Sequence, residues 1–223
     1  NRCRDEELDN LHSVYVDQWD WEKVITRENR NLETLKATVL KIVKAIVQTQ
    51  TILRYAYPQL KPMVSNNVFF ITTQQLEDLY PDLTPKERED AICRKHQTVF
   101  LMQIGDQLKS GQRHDGRAPD YDDWQLNGDL LVYYPLLDRS FELSSMGIRV
   151  DEKSLVSQCE KANASERLNY PFHKQILEGK LPLTIGGGIG QSRLCMLLLQ
   201  KAHIGEVQVS VWDDETIPAH NTT

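Results

Sequence analysis

Two polar residues lie on one side of a segment near the start of the chain whose alternating pattern predicts a β-strand, residues 14–21. The residues on that side are Val14, Val16, Gln18 and Asp20. Because the valines indicate a buried face, the amide and the carboxylate would need polar partners, and the ammonium group of a zwitterionic ligand could be one. Alternatively, the valines lead to a solvated strand end and the pair binds nothing. Just upstream, Arg2 and His12 could contact phosphates or be exposed loop charges.

A second set of charges lies in the apolar strand pattern of residues 141–150. Glu142 could bind Mg²⁺ there, and Arg149 could hold a carboxylate through two parallel hydrogen bonds. Strict alternation places these two side chains on opposite faces, so a β-bulge near residues 144–147 would be needed to bring them together. A surface strand with incidental charges is the alternative interpretation.

A glycine-rich stretch, residues 186–190, precedes a predicted helix. Its spacing departs from the dinucleotide-binding pattern at Gln191, and no lysine–serine or lysine–threonine pair completes a phosphate-binding P-loop. Taken alone, the stretch is equally well a tight strand-to-helix turn. Arg193 on the first turn of the helix favours a nucleotide, because a guanidinium can stack on a purine ring or reach a terminal phosphate.

A charged loop, residues 113–124, could also contribute to a polar site. Arg117, Asp120 and Asp122 could line a substrate pocket, although charge runs of this kind are usually solvated. The two aspartates could be metal ligands as well, but their spacing on a loop is weak evidence for that.

The elements that would position these residues arrive as strand hairpins with helices inserted between groups, without a regular β-α-β alternation. This order predicts an α+β fold with a largely antiparallel sheet. Further strands are predicted at 67–72, 99–104, 129–137, 141–150 and 207–212, with 129–137 and 141–150 as an antiparallel hairpin. Helices are predicted at 28–55, 151–161, 165–178 and 191–201. A further helix is predicted to begin at the capping box of residues 84–87. The 223 residues contain no repeats or low-complexity linkers, which favours a single domain.

The composition argues against several classes of protein. The net charge of −6 is unlike that of a protein built to grip the nucleic-acid backbone. No apolar run approaches the ~20 residues of a membrane span, and no signal-peptide pattern is present. The four cysteines are scattered without a CxxC pair, which fits reduced thiols better than disulfides or a zinc site. We therefore expect a cytoplasmic protein that binds neither nucleic acid nor a membrane.

Five segments together resemble one family, the ammonia-dependent aspartate–ammonia ligases, or A-type asparagine synthetases. They are residues 11–22 (LHSVYVDQWDWE), 117–124 (RAPDYDDW), 126–129 (LNGD), 141–149 (FELSSMGIR) and 184–193 (TIGGGIGQSR). The similarity runs nearly from end to end. That family is similar in turn to the catalytic domain of class II aspartyl- and asparaginyl-tRNA synthetases. The resemblance therefore implies a class II synthetase-like antiparallel sheet flanked by helices, and a homodimer.

The resemblance also implies a role for each candidate residue. The substrate-binding residues would be Gln18 and Asp20 at the ammonium group, Arg149 at a carboxylate of aspartate, and Arg117. The ATP contacts would be His12, Gly188, Gly190 and Arg193, the last at adenine and the γ-phosphate, with Arg2 as a catalytic residue at the α-phosphate. Glu142, with Ser145 nearby, would carry Mg²⁺.

The implied reaction joins L-aspartate and ammonia, with ATP, to give L-asparagine, AMP and pyrophosphate through a β-aspartyl-adenylate. Because ammonium is the main form near neutral pH, a carboxylate must take a proton, and Asp122 and Asp129 are the candidates by position. Two alternatives stay open: the catalytic core of an aspartyl- or asparaginyl-tRNA synthetase, and a non-catalytic paralogue that binds asparagine or an adenylate.

The chain departs from the family pattern in two places. The family's N-terminal portion is absent before Arg2, and the stretch 124–126 is shorter than the corresponding family loop. We therefore expect residues 1–223 to form one catalytic domain from which these two parts are missing.

Overall fold

Six β-strands and six α-helices position the candidate residues within the described part of the chain. The computed structural model describes Leu11 and residues 15–209. The strands are β1 (Gln18–Val24), β2 (Phe69–Thr72), β3 (Thr98–Met102), β4 (Asp122–Tyr134), β5 (Arg139–Arg149) and β6 (Thr184–Gly190). The α-helices are α1 (Leu32–Ala56), α2 (Thr73–Leu79), α3 (Pro85–His96), α4 (Glu152–Lys161), α5 (Pro171–Leu177) and α6 (Gln191–Leu199). Two short 3-10 helices cover Ser165–Asn169 and Ile204–Glu206.

The six strands form one sheet, in the order β1-β6-β5-β4-β3-β2. Neighbouring strands are antiparallel except β2 and β3, which are parallel and are connected through α2 and α3. A parallel pair needs such a crossover, whereas the β4–β5 hairpin needs only the short turn between Tyr134 and Arg139. The prediction of an α+β fold with a largely antiparallel sheet is confirmed.

Helices cover the two faces of the sheet unequally. On one face, α1 and α6 pack against buried apolar side chains that include Phe100, Leu130 and Leu143. On the other face, α2 and α3 pack around Leu101 and Leu131, near the β2–β3 end of the sheet. The rest of this second face, over β1, β6 and β5, carries polar side chains and a cavity.

The local sequence explains where the long helices begin. Asn31 caps α1, because its side chain accepts a hydrogen bond from the backbone N–H of Thr34 at 2.9 Å. Helix α3 begins after Thr84, which forms the predicted capping box with Glu87, and Pro85 is its first residue. No helix in the described ranges is both long enough and apolar enough to cross a membrane.

Strand β4 begins earlier than the sequence predicts. The loop expected at residues 113–124 ends at Asp122, and Trp124 is buried with its indole N–H 3.3 Å from the carbonyl oxygen of Ala118. The stretch 124–126 lies within β4 where the register against β5 shifts. Burial of the large indole, which the polar composition of the loop conceals, explains the error.

Three further elements differ from the prediction. The helix expected at 165–178 is divided, because Pro171 lacks a backbone N–H and begins a new helix, α5. Of the strand expected at 207–212, residues 207–209 are not in a strand, and the others lie outside the described residues. Helix α2 was not predicted, since its seven residues are too few to show a helical period.

Gln158 of α4 holds the segment that leads into β4. Its Nε2 donates to the carbonyl oxygens of Pro119 and Asp122, both at 3.0 Å, and its Oε1 accepts from the backbone N–H of Trp124 at 2.7 Å. Because truncation leaves these buried backbone groups unpaired, Gln158→Ala should lower the free energy of unfolding by about 2–4 kcal/mol. Urea denaturation measures this change, and a loss no larger than that of the exposed control Gln48→Ala would contradict it.

Candidate functional site

A cavity of about 580 Å³ opens on the uncovered part of the sheet. Ten of the predicted site residues line it: Gln18, Asp20, Arg117, Asp122, Glu142, Ser145, Arg149, Gly188, Gly190 and Arg193. Asp129 is buried behind this lining, where it pairs with Arg117. The other two candidates, Arg2 and His12, lie outside the described residues. The sheet therefore brings together side chains that are up to 175 positions apart in the sequence (from position 18 to position 193).

The glycines of β6 form the floor of the cavity. β6 lies between β1 and β5, with Gly188 opposite Asp20 in the register. A Cβ atom on Gly188 would lie 2.7 Å from Oδ1 of Asp20 and 3.2 Å from Nε2 of Gln18. Only glycine leaves room for these two side chains, which are exposed to the cavity rather than buried as the valine pattern predicted. The stretch 186–190, for which a tight strand-to-helix turn was one of two open interpretations, is a strand.

Gly188→Ala should therefore displace both polar side chains of β1. For L-aspartate, the ligand that the resemblance implies, we expect the affinity to fall about tenfold or more, because the added methyl group takes the space that Asp20 occupies. Calorimetric titration with L-aspartate measures the change. The matched control is Gly116→Ala, where a Cβ atom meets nothing within 4 Å and affinity should stay close to that of the unchanged protein. Equal affinities for the two variants would contradict this role of Gly188.

A β-bulge aligns the charged residues of β5. Leu130 of β4 lies opposite Ser144, whereas the next residue, Leu131, lies opposite Glu142, so Leu143 is an additional residue in β5. This bulge shifts the alternation of side chains, and Glu142 faces the same cavity as Arg149. A bulge was predicted near 144–147, and the structure places it at Leu143, one residue before that stretch.

Arg149 is held between two carboxylates. Its Nη1 pairs with Oδ1 of Asp122, while its Nη2 and Nε donate to Glu22 at 2.8 and 3.2 Å. Its guanidinium also lies 4.1 Å from the ring centroid of Tyr121. Burial works against the charge of Arg149, but the ion pairs outweigh it and raise the pKa. Burial raises the pKa of Asp122 in spite of the pairing with Arg149.

Asp129 and Glu142 form an acidic pair. Asp129 is buried behind the cavity lining, and Glu142 is part of that lining. Burial, together with repulsion from Glu142, raises the pKa of Asp129 to about 7, although Arg117 pairs with one of its oxygens. The other oxygen, Oδ1, is buried and accepts no hydrogen bond of ordinary geometry among the described residues. Ser145 lies directly opposite Asp129 in the ladder between β4 and β5. A buried carboxylate with an unpaired oxygen beside a second carboxylate has the donor chemistry of a cation site.

This donor set fits Mg²⁺ better than a metal enclosed by protein ligands. Among the described residues, no group of three His, Cys, Asp or Glu side chains lies close enough to hold a metal. Mg²⁺, however, is usually held by one or two carboxylates together with substrate phosphates and water. Arg193 lies next to the same place, with Nη1 3.3 Å from the carbonyl oxygen and 3.7 Å from Oε2 of Glu142. Glu142 and Asp129, with Ser145, could therefore hold Mg²⁺ on a phosphate chain that also meets Arg193.

Asp120 does not join the site. Its two oxygens bind Arg167 at 2.8 Å and His173 at 3.1 Å, away from the cavity that Asp122 lines. The two aspartates of the charged loop therefore do not form a common metal site. Glu22, conversely, was not predicted, although it follows Gln18 and Asp20 at the same spacing of two and the alternation of β1 extends to it.

The sequence and the fold were compared with known proteins. Residues 2–223 match the family model described as aspartate–ammonia ligase. Among curated proteins, the aspartate–ammonia ligases of Clostridium tetani and Lactobacillus johnsonii are 62% and 64% identical to this chain over 214 and 215 residues. The alignments cover 96% of this chain but only 63% and 64% of the relatives, so the chain spans a little under two thirds of their length.

Solved structures agree with the fold. An asparaginyl-tRNA synthetase of Entamoeba histolytica in complex with asparaginyl-adenylate matches with a TM-score of 0.64 at 16% identity, over 92% of this chain and 49% of that chain. The aspartyl-tRNA synthetase of the same organism matches with a TM-score of 0.64 at 17% identity, over 96% of this chain and 46% of that chain. At these identities the likeness concerns the fold alone, and it confirms the predicted class II synthetase-like sheet.

Proposed function

The chain belongs to the aspartate–ammonia ligase family. We therefore propose that it converts L-aspartate and ammonia to L-asparagine and cleaves ATP to AMP and pyrophosphate. The observation that best supports this proposal is the composition of one cavity. It combines an amide–carboxylate pair, an arginine suited to a carboxylate and an acidic pair suited to a metal. These groups correspond to the ammonium group of an amino acid, its carboxylate and a metal-bound triphosphate.

The amino-acid substrate would lie across the glycine floor. Gln18 and Asp20 would bind its ammonium group, because both are exposed to the cavity at the edge of that floor. Arg149 would hold the α-carboxylate, since the β-carboxylate is the group that reacts. Arg117 would complete this part of the pocket, where its pairing with Asp129 already holds it in place.

ATP would lie at the other end of the cavity, near the start of α6. Arg193 on the first turn of α6 would contact the adenine ring or the γ-phosphate, and Gly188 and Gly190 would let the nucleotide approach the backbone. Mg²⁺ held by Glu142, Asp129 and Ser145 would neutralise charge on the phosphates. The proposed roles of Arg2 at the α-phosphate and of His12 on the phosphate loop concern residues outside the described ranges.

The reaction would proceed in two displacements. An oxygen of the β-carboxylate attacks the α-phosphorus of ATP, and the bond from that phosphorus to pyrophosphate breaks, which gives β-aspartyl-adenylate. Ammonia then attacks the acyl carbon, and the carbon–oxygen bond to AMP breaks. Arginines aimed at the phosphates would stabilise the charge that develops in the first step. The attacking nitrogen must also lose a proton, which requires a base.

The local geometry favours different roles for the two candidate bases. Asp129 is buried behind the lining, beside Glu142, and its unpaired oxygen suits the metal. An aspartate that ligates a cation stays ionised and is a poor proton acceptor. Asp122 lines the cavity itself, next to the arginine proposed for the α-carboxylate, and burial raises its pKa. We therefore assign proton acceptance to Asp122 and metal binding to Asp129.

A second candidate is the catalytic core of an aspartyl- or asparaginyl-tRNA synthetase, with which this chain shares its fold. The deciding experiment incubates the protein with ATP, L-aspartate and ammonium, with and without tRNA. Asparagine and AMP formed in equal amounts without tRNA would support the ligase, and aminoacylated tRNA would support the synthetase. Adenylate or asparagine binding without either product would support a non-catalytic paralogue.

Assembly and location are further parts of the proposal. We propose a homodimer that binds no nucleic acid, since the net charge of −6 opposes contact with a phosphate backbone. A cytoplasmic location is supported by the free thiols of the three described cysteines, Cys93, Cys159 and Cys195, which fit a reducing compartment.

A further inference from the structure

We propose that Glu22 is a displaceable counter-ion of Arg149. Glu22 separates from the guanidinium when a substrate carboxylate takes its place. The inference rests on the proposed function, because it concerns how the same site selects an amino acid with a free α-carboxylate. Glu22 thereby acts as a specificity-determining residue.

Each of the three nitrogens of the Arg149 guanidinium donates to a protein carboxylate. Glu22 takes the edge formed by Nε and Nη2, at 3.2 and 2.8 Å, and Asp122 takes Nη1. One face of the guanidinium lies against the ring of Tyr121. A substrate carboxylate can form two parallel hydrogen bonds to the edge formed by Nε and Nη2 only if Glu22 leaves.

The two carboxylates differ in how firmly they are held. The side chain of Asp122 is 9% exposed, and its backbone carbonyl is bound by Gln158. The side chain of Glu22 is 46% exposed and extends from β1, the edge strand of the sheet. An exposed ion pair is weak and readily exchanged, whereas a buried carboxylate loses its main compensating charge if it separates. Glu22 is therefore the carboxylate that leaves.

The path of Glu22 to Arg149 is built into the sheet. Glu22 lies opposite Gly186 in β6, and its side chain crosses that glycine to reach β5. A Cβ atom on Gly186 would collide with Oε2 of Glu22 and would lie 2.5 Å from Nη2 of Arg149. Glu22 lines a second cavity of about 320 Å³, which shares Tyr121 and Arg149 with the first, and it thus occupies the edge of Arg149 that a substrate carboxylate needs.

The exchange provides selectivity. When the substrate carboxylate replaces Glu22, Arg149 still faces two carboxylates, and the charge balance is unchanged. A ligand without that carboxylate cannot replace Glu22 and gains nothing from Arg149, so it is discriminated against.

The test is calorimetric titration of the intact protein and of its Glu22→Gln variant with L-aspartate, in the absence of ATP and ammonium. Glutamine keeps the size of the side chain and removes the competing charge, so the Kd for L-aspartate should fall about two- to fivefold. The Kd for L-aspartate α-amide, which lacks the free α-carboxylate, should not change. The matched control is Glu152→Gln, which removes an ion pair of the same type with Arg27 (2.9 Å) outside the cavity and should leave both values unchanged.

Weaker aspartate binding by Glu22→Gln would overturn the inference, because it would make Glu22 a residue that positions Arg149. An unchanged Kd, an equal shift for the α-amide, or no measurable binding to either protein would overturn it as well. Binding and turnover are separate readouts. A protein that shows the shift but forms no asparagine contradicts the ligase proposal alone, and a working ligase without the shift contradicts this inference alone.

Discussion

Replacing Arg193 by alanine should reduce aspartate-dependent pyrophosphate release about 1,000-fold. Arg193 stands on the first turn of α6, lines the cavity, and lies within 3.3 Å of the backbone of the proposed metal ligand Glu142. A guanidinium at this point would stabilise charge on the triphosphate in the transition state, and loss of such a group typically costs several orders of magnitude in rate. Coupled detection of pyrophosphate with saturating aspartate measures the effect.

Two companion variants show whether the loss is chemical. Arg193→Lys keeps the charge but not the planar guanidinium, so its activity should lie between that of the unchanged protein and that of Arg193→Ala. Arg94→Ala removes a half-exposed arginine whose partner, Asp138, lies on the surface, and should leave activity unchanged. Affinity for L-aspartate should be the same in all of them, because Arg193 is not placed at the amino acid. Pyrophosphate release by Arg193→Ala within a few-fold of normal would remove Arg193 from the nucleotide site.

Local sequence patterns predict the individual helices and strands of the fold. The capping box before α3, the helix α1 and the β4–β5 hairpin are predicted from local patterns, and each is present, although β4 begins at Asp122 rather than at residue 129. The same patterns do not predict which strands become neighbours in the sheet. The chain from Thr184 to Gly190 contains four glycines in seven residues, a composition that disfavours strands, yet it forms β6 between two other strands.

The candidate site, too, could be predicted only in part from the sequence. The sequence indicates which residues bear chemistry, because an amide–carboxylate pair in a strand or a glutamate among apolar residues is visible without coordinates. It does not indicate how those residues compensate one another. The pairing of Arg149 with Glu22 and Asp122 depends on a path across Gly186, and the raised pKa of Asp129 depends on burial beside Glu142. Both are products of strand register, which residue types alone do not determine.

Asp122→Asn should separate the two chemical steps. Because asparagine keeps the shape of the side chain but cannot accept the proton, adenylate formation should continue while asparagine formation falls about 100- to 1,000-fold. ATP–pyrophosphate exchange follows the first step, and asparagine release follows the second. Asp129→Asn, which weakens the proposed metal site, should instead reduce both steps together.

The choice of nucleophile tests the assignment of Asp122 further. Hydroxylamine is largely unprotonated at neutral pH, so its attack on the adenylate does not require prior removal of a proton from an ammonium ion. Asp122→Asn should therefore retain more activity with hydroxylamine than with ammonium, whereas Asp129→Asn should be equally impaired with both. If Asp122→Asn loses adenylate formation as well, the aspartate acts through Arg149, with which it pairs, and the base must be another group. If Asp129→Asn alone shows selective loss with ammonium, the two roles are exchanged, and the unpaired oxygen of Asp129 accepts the proton.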